Sequence, residues 1–105
     1  MNNTETLQKL AEILEQRKNA KADESYVASL YESGLEKILA KISEEADETI
    51  DAAREESAEH LIHEVADLWF HCMVLLAQKN LSYKDVLKEL NQRFGISGHV
   101  EKAQR

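Results

Sequence analysis

Four acidic residues fall into two pairs of the same spacing, Glu45-x-x-Glu48 and Glu64-x-x-Asp67, separated by fifteen residues. A step of three or four residues keeps side chains on one face of a helix, so each pair can act as a unit. Lys41, Glu45 and Glu48 form a row along the edge of an apolar stripe, with Glu44 beside it and farther out. Glu64, Asp67 and His71 make a polar strip on a segment that is otherwise greasy. Such a segment has little solvent-facing surface to spare, so these acids are read as functional or as a buried ion pair rather than as surface. If the two segments pack antiparallel, the four carboxylates converge, and each close pair repels by about 4 kcal/mol at an effective dielectric near 20. Protonation or basic partners can relieve this. A hard divalent cation fits better, because oxygen ligands with few histidines suit Mg²⁺ or Mn²⁺ over zinc. A di-iron bundle would use Glu-x-x-His motifs, and none of the four histidines has a glutamate three residues before it.

The elements that must hold these acids are helices. With no proline and three glycines, the turn chemistry of a sheet protein is missing, while Ala, Leu, Glu and Lys dominate. A first helix capped by Asn3 or Thr4 runs to about Arg17, with Leu7, Leu10, Ala11 and Leu14 on one face. A short second helix opens at Ser25-Tyr26 and ends at Gly34. Leu35, Ile38, Leu39, Ile42, Ala46, Ile50 and Ala53 stripe a long third helix. A charged break over 54–59, whose Glu55, Glu56 and Glu59 read as solvated, leads to a fourth helix over about 58–80. Its broad apolar face, Leu61, Val65, Leu68, Trp69, Cys72, Leu75 and Leu76, predicts a central position, with Trp69, Cys72 and Met73 as core. Phe70, Val74 and Ala77 lie on its other side, which a short bundle leaves uncovered and a second copy would cover. Ser82 with Asp85 resembles a capping box for a fifth helix carrying Val86, Leu87, Leu90 and Phe94, closed by Gly95. The expected fold is all-α: one compact bundle of about five helices over 1–105, two long antiparallel helices carrying the acidic site, completed by homodimerisation.

Composition narrows the function. At 43% hydrophobic and 31% charged residues the chain should fold. A net charge of -7 repels nucleic acid and anionic lipid, so a phosphate-bearing ligand needs a local basic patch or a cation. The apolar stretch 68–77 is far short of the roughly 20 residues that span a bilayer. The N-terminus lacks the pattern of a secretory signal, and the lone Cys72 has no partner for an internal disulfide, so a cytoplasmic location is expected.

The acidic motif resembles the metal-binding signature of the all-α nucleoside triphosphate pyrophosphohydrolases, which include the MazG-type enzymes. The rest of the chain is similar, almost end to end, to the phosphoribosyl-ATP pyrophosphohydrolase family of histidine biosynthesis. That likeness covers Arg17 and Lys18, Ser25-Tyr26, Gly34, Lys37 and Lys41, Glu44-Glu45-x-x-Glu48, Glu64-x-Ala66-Asp67-Leu68 with His71, Glu89-Leu90 with Arg93, and Ser97-Gly98-x-x-Glu101-Lys102-x-x-Arg105. The resemblance implies Mg²⁺-dependent cleavage of the α-β phosphoanhydride of phosphoribosyl-ATP, giving phosphoribosyl-AMP and pyrophosphate, the second step of the pathway. It also implies metal ligation by Glu45, Glu48, Glu64 and Asp67. Glu44 is a further ligand or orients the attacking water, and Glu44, Glu48 and Lys41 are the catalytic candidates. Substrate contacts are expected from Arg17, Ser25, Tyr26, Lys37, Lys41, His71, Ser97, Lys102 and Arg105. The substrate carries a second ribose phosphate, for which the hydroxyl and flexible backbone of Ser97-Gly98 and the cations of Lys102 and Arg105 are expected to form a clamp. The cyclohydrolase often fused to this activity would need more length and more cysteines, so the chain reads as monofunctional. His60, His63 and His99 match no usable pattern. Two alternatives are a housecleaning hydrolase of other nucleotides, which the Ser25-Tyr26 and 97–105 regions argue against, and a non-enzymatic helical interaction module with structural acids.

Overall fold

The computed structural model describes residues 3–55 and 57–94. Among the described residues five α-helices follow one another: α1 Asn3–Gln16, α2 Tyr26–Ser33, α3 Leu35–Arg54, α4 Ala58–Gln78 and α5 Tyr83–Gln92. A single 3₁₀ turn, Arg17–Asn19, continues α1, so regular helix ends one residue before the expected Arg17. There is no strand among the described residues.

Local chemistry sets the boundaries. Ser25 starts α2 by accepting from the Ala28 N–H at 3.2 Å, and Ser57 does the same for α4 with His60 at 3.2 Å. At α5 the capping box is complete: Ser82 Oγ accepts from the Lys84 N–H at 3.1 Å, and Asp85 Oδ2 accepts from the Ser82 N–H at 2.9 Å. Gly34 ends α2 and begins α3 with φ 95° and ψ 178°, a conformation essentially reserved for glycine. Asn80, at φ 58°, takes the left-handed position after α4. The Leu81 N–H then reaches back to the Leu76 carbonyl at 2.7 Å and the Asn80 N–H to that of Ala77 at 3.0 Å, stopping the helix at Gln78, two residues before the expected end at Asn80.

Helices α3 and α4 form an antiparallel hairpin, and α1 and α2 cover one side of it. The core between them is Leu14, Val27, Leu30, Ile38, Met73, Val74 and Ala77, with Leu7, Leu10, Phe70 and Tyr83 packed around it. The Tyr31 hydroxyl donates to the Leu14 carbonyl at 2.9 Å and pins α2 to the end of α1.

The core corrects the reading of α4. Val74 and Ala77, expected on the outer side, are buried, and Phe70 packs beside them. Trp69, expected inside, is 61% exposed, along with Ile62. A helix apolar on nearly every side can be buried on any side, and the choice fell to where Leu14, Leu30 and Ile38 meet it. Leu39 and Ile50 of the α3 stripe, Val86, Leu87 and Leu90 of α5, and Phe94 just after it are also exposed. The radius of gyration, 15.9 Å, exceeds the about 13 Å of a closely packed chain of this size.

Candidate functional site

On α3 the buried residues are Ile38, Glu45 and Ala52, one every seven positions. This spacing marks a seam against a neighbouring helix, so the glutamate sits in the row that packs on α4 because Ile38 and Ala52 on either side of it do. Across the interface Glu64 and His71, also seven apart, are buried on α4. Glu45 is 5% exposed, Glu64 8% and His71 5%. Carboxylates this deep are costly unless paired or bound to a cation.

Glu45, Glu48 and Glu64 each bring a carboxylate oxygen within 4.8 Å of the others, with Glu48 at the exposed rim. The carboxyl of Glu48 is pushed up to about 7, first by hydrogen bonding with Glu64, next with Glu45, then by burial and the two like charges. Even so, Glu45 Oε2 and Glu64 Oε2 are buried with no hydrogen-bond partner. Two orphaned acceptors beside a third carboxylate fit a cation, which satisfies all of them without a proton.

Asp67 does not join that trio. It groups with Glu64 and His63, and His63 Nε2 pairs with Asp67 Oδ2 at 3.3 Å. Glu64 belongs to both groups, so the acids of α3 and α4 form one continuous strip across the hairpin. His60 closes the strip at the hairpin end, with Nδ1 2.7 Å from Glu55 Oε2 and Nε2 3.3 Å from Glu64 Oε1. The bond to Glu55 is the main reason its pKa is raised. Neither His60 nor His63 is among the sequence-predicted site residues. Their four-residue spacing to Glu64 and Asp67 is the signal that could have identified them.

His71 joins the strip to α2. Its Nδ1 lies 2.9 Å from the Asp67 carbonyl and 3.9 Å from Glu45 Oε1, while Nε2 lies 2.9 Å from the Tyr26 hydroxyl. Burial raises the Tyr26 pKa most; Lys41 works against it, and Glu45, Glu44 and Asp67 add to it. Tyr26 thus touches the acidic strip through His71.

The remaining candidates divide. Lys41 donates to Glu44 Oε2 at 3.3 Å, a contact that raises the lysine pKa, and Glu44 stands outside the three-carboxylate group. Ser25 is the cap of α2. Lys37 is exposed in the first turn of α3, and Arg17 is exposed in the 3₁₀ turn. Ser97, Lys102 and Arg105 lie outside the described residues.

Buried acids on a helical hairpin say cation and anion chemistry without naming the anion; the likeness of the whole chain narrows it. The model of the phosphoribosyl-ATP pyrophosphohydrolase family matches residues 7–94. Two relatives named phosphoribosyl-ATP pyrophosphatase, from Methylococcus capsulatus and Vesicomyosocius okutanii, are 57% and 54% identical over 101 residues, 96% of this chain and 96% of each relative. The acidic strip and helices α2 to α5 fall inside the matched span, and the chain belongs to the phosphoribosyl-ATP pyrophosphohydrolase family.

Proposed function

We infer that the protein hydrolyses the α-β phosphoanhydride of phosphoribosyl-ATP, releasing phosphoribosyl-AMP and pyrophosphate in the second step of histidine biosynthesis. Family membership and the shared name of its full-length relatives support the reaction. The observation that carries the mechanism is the pair of buried, unpartnered oxygens on Glu45 and Glu64 beside Glu48.

These three residues would hold a divalent cation, Mg²⁺ or Mn²⁺, with Asp67 available as a fourth carboxylate next to Glu64. When bound, the ion neutralises phosphate charge and the charge that develops as the anhydride breaks. Everything else falls to the chain itself. Glu44, outside the trio, is suited to orient the water that replaces the bridging oxygen at one phosphorus. The Lys41 ammonium, adjacent to it, offsets phosphate charge, and Lys37 and Arg17 extend the basic border. Ser25, Tyr26 and His71 line the α2 side. Ser97, Lys102 and Arg105 supply the clamp for the second ribose phosphate.

The working unit is a homodimer. Trp69, Ile62 and the apolar residues of α5 are exposed in one copy, which a second copy would cover. Free Cys72 suits the reducing cytoplasm.

The test is pyrophosphate release from phosphoribosyl-ATP compared with ATP and other nucleoside triphosphates, with Mg²⁺ and after its removal by chelation. Strong preference for phosphoribosyl-ATP, lost on chelation, is expected. Equal turnover of ordinary triphosphates would make the protein a general nucleotide hydrolase, and no turnover of any nucleotide would refute the inference.

A further inference from the structure

Tyr26 and His71 touch through a contact that neither carboxylate chemistry nor packing requires. The imidazole has two polar atoms, and the partner of Nδ1, the Asp67 carbonyl at 2.9 Å, can only accept. Nδ1 must therefore carry the proton. In a neutral ring Nε2 is then an acceptor, so the Tyr26 hydroxyl donates to it across 2.9 Å. The ring is also gripped edge-on by aromatic neighbours, with Phe70 at 5.2 Å and Tyr26 at 6.0 Å between centroids. A ring flip would replace both nitrogens by carbons and forfeit both bonds.

The fixed ring borders the carboxylates. Nδ1 lies 3.9 Å from Glu45 Oε1, an ion-pair distance rather than a hydrogen bond, and its acceptor belongs to the backbone of Asp67. One imidazole thus abuts an acid of α3 and an acid-bearing turn of α4. The tyrosine arrives from a third helix, at the first position of α2, where Ser25 caps the turn and Val27 and Leu30 are sunk in the core. The hydroxyl is therefore delivered by a rigid element.

We propose that Tyr26 is a positioning residue for the carboxylate site: its hydroxyl, bonded to Nε2, fixes the His71 ring beside Glu45 and the Asp67 turn, in the geometry that receives a divalent cation. The proposal rests on reading the carboxylates as a cation site. Without the hydroxyl Nε2 loses its partner, and the ring is anchored at Nδ1 alone. Groups that orient metal ligands in this way typically contribute about 10- to 100-fold in metal affinity.

The test uses Tyr26→Phe, which keeps the ring and removes only the oxygen, and His71→Asn as a second variant. Three readouts are needed: imidazole ¹⁵N shifts of the cation-free protein, Mn²⁺ affinity by calorimetry, and kcat and KM at limiting and saturating Mn²⁺. The expected result is an Nδ1–H signal for His71 in both proteins, with the Nε2 resonance of Y26F shifted toward that of an unbonded nitrogen. Mn²⁺ affinity should fall at least about tenfold in Y26F, with no further fall when Y26F is added to H71N, and kcat should recover at saturating Mn²⁺. An Nε2–H wild-type signal overturns the proposal. So does unchanged Mn²⁺ affinity in Y26F, and so does a KM defect for phosphoribosyl-ATP that persists at saturating Mn²⁺, which would make Tyr26 a substrate contact. Failure of the wild type itself to bind Mn²⁺ removes the cation reading and the proposal together, and the wild-type titration identifies that case.

Discussion

Glu45 of α3 and Glu64 of α4 face each other inside a helical hairpin with carboxylate oxygens within 4.8 Å, and each leaves Oε2 buried without a hydrogen-bond partner. Helix contacts of this depth are normally apolar, as they are at Ile38 and Val74 in the same two helices. The pair stores repulsion that a protein kept for stability alone would lose by substitution.

Substitution of the third acid tests this directly. Glu48→Gln removes one negative charge and keeps a hydrogen-bonding side chain, so the cation-free protein should melt at the same temperature as the wild type or higher. Mg²⁺-dependent turnover should fall below detection, and added Mg²⁺ should no longer raise the melting temperature. Asp67→Asn is expected to behave alike in turnover. A Glu48→Gln protein with full Mg²⁺-dependent activity would show that the acids serve structure.

Trp69 reports on assembly. Its exposure in one copy, with Ile62 nearby in sequence and the apolar residues of α5, predicts a dimer in sedimentation at micromolar concentration. Trp69→Glu places a charge in that face and should yield a helical monomer, because the side chain adds little to the core of a single chain. A wild-type monomer at that concentration would rule the homodimer out.

Tyr31 gives a pH dependence with a definite sign. Burial, aided by the charge of Glu15, pushes its pKa from 10.0 up to about 12. A raised folded pKa means that the native state holds the proton more tightly, so the contribution is fully present below pH 10 and is lost as pH rises toward 12. Denaturant unfolding of Tyr31→Phe should show a loss of about 1 kcal/mol at neutral pH, the typical worth of its bond to the Leu14 carbonyl. The variant should also decline less steeply than the wild type between pH 10 and 11.5.

The basic tail is the specificity test. Deleting residues 98–105 should lower kcat/KM for phosphoribosyl-ATP at least about tenfold, roughly 1.4 kcal/mol of transition-state binding. Helicity and Mg²⁺ affinity should be nearly unchanged. Full-rate turnover by the truncated protein would shift the specificity role to Ser25 and Tyr26.

Features decided within one turn of chain were legible in the sequence. The Ser82-Asp85 box and the glycine between α2 and α3 are local solutions to unpaired backbone groups, and they form where the residues allow. The acidic motif was legible too, since three-residue spacing fixes a shared helix face before any folding. Which face of α4 is inside was not. Its residues are apolar almost all round, so no periodicity distinguished Trp69 from Val74, and only contact with α1, α2 and α3 chose between them. The same holds within the site. Spacing put Glu64, Asp67 and His71 on one strip, but the antiparallel packing of α3 on α4 made Glu64 a neighbour of Glu45 and Glu48 and left Asp67 with His63. The bond from Tyr26 to His71 joins residues 45 positions apart, a relation that exists only once the core has fixed α2 against the hairpin.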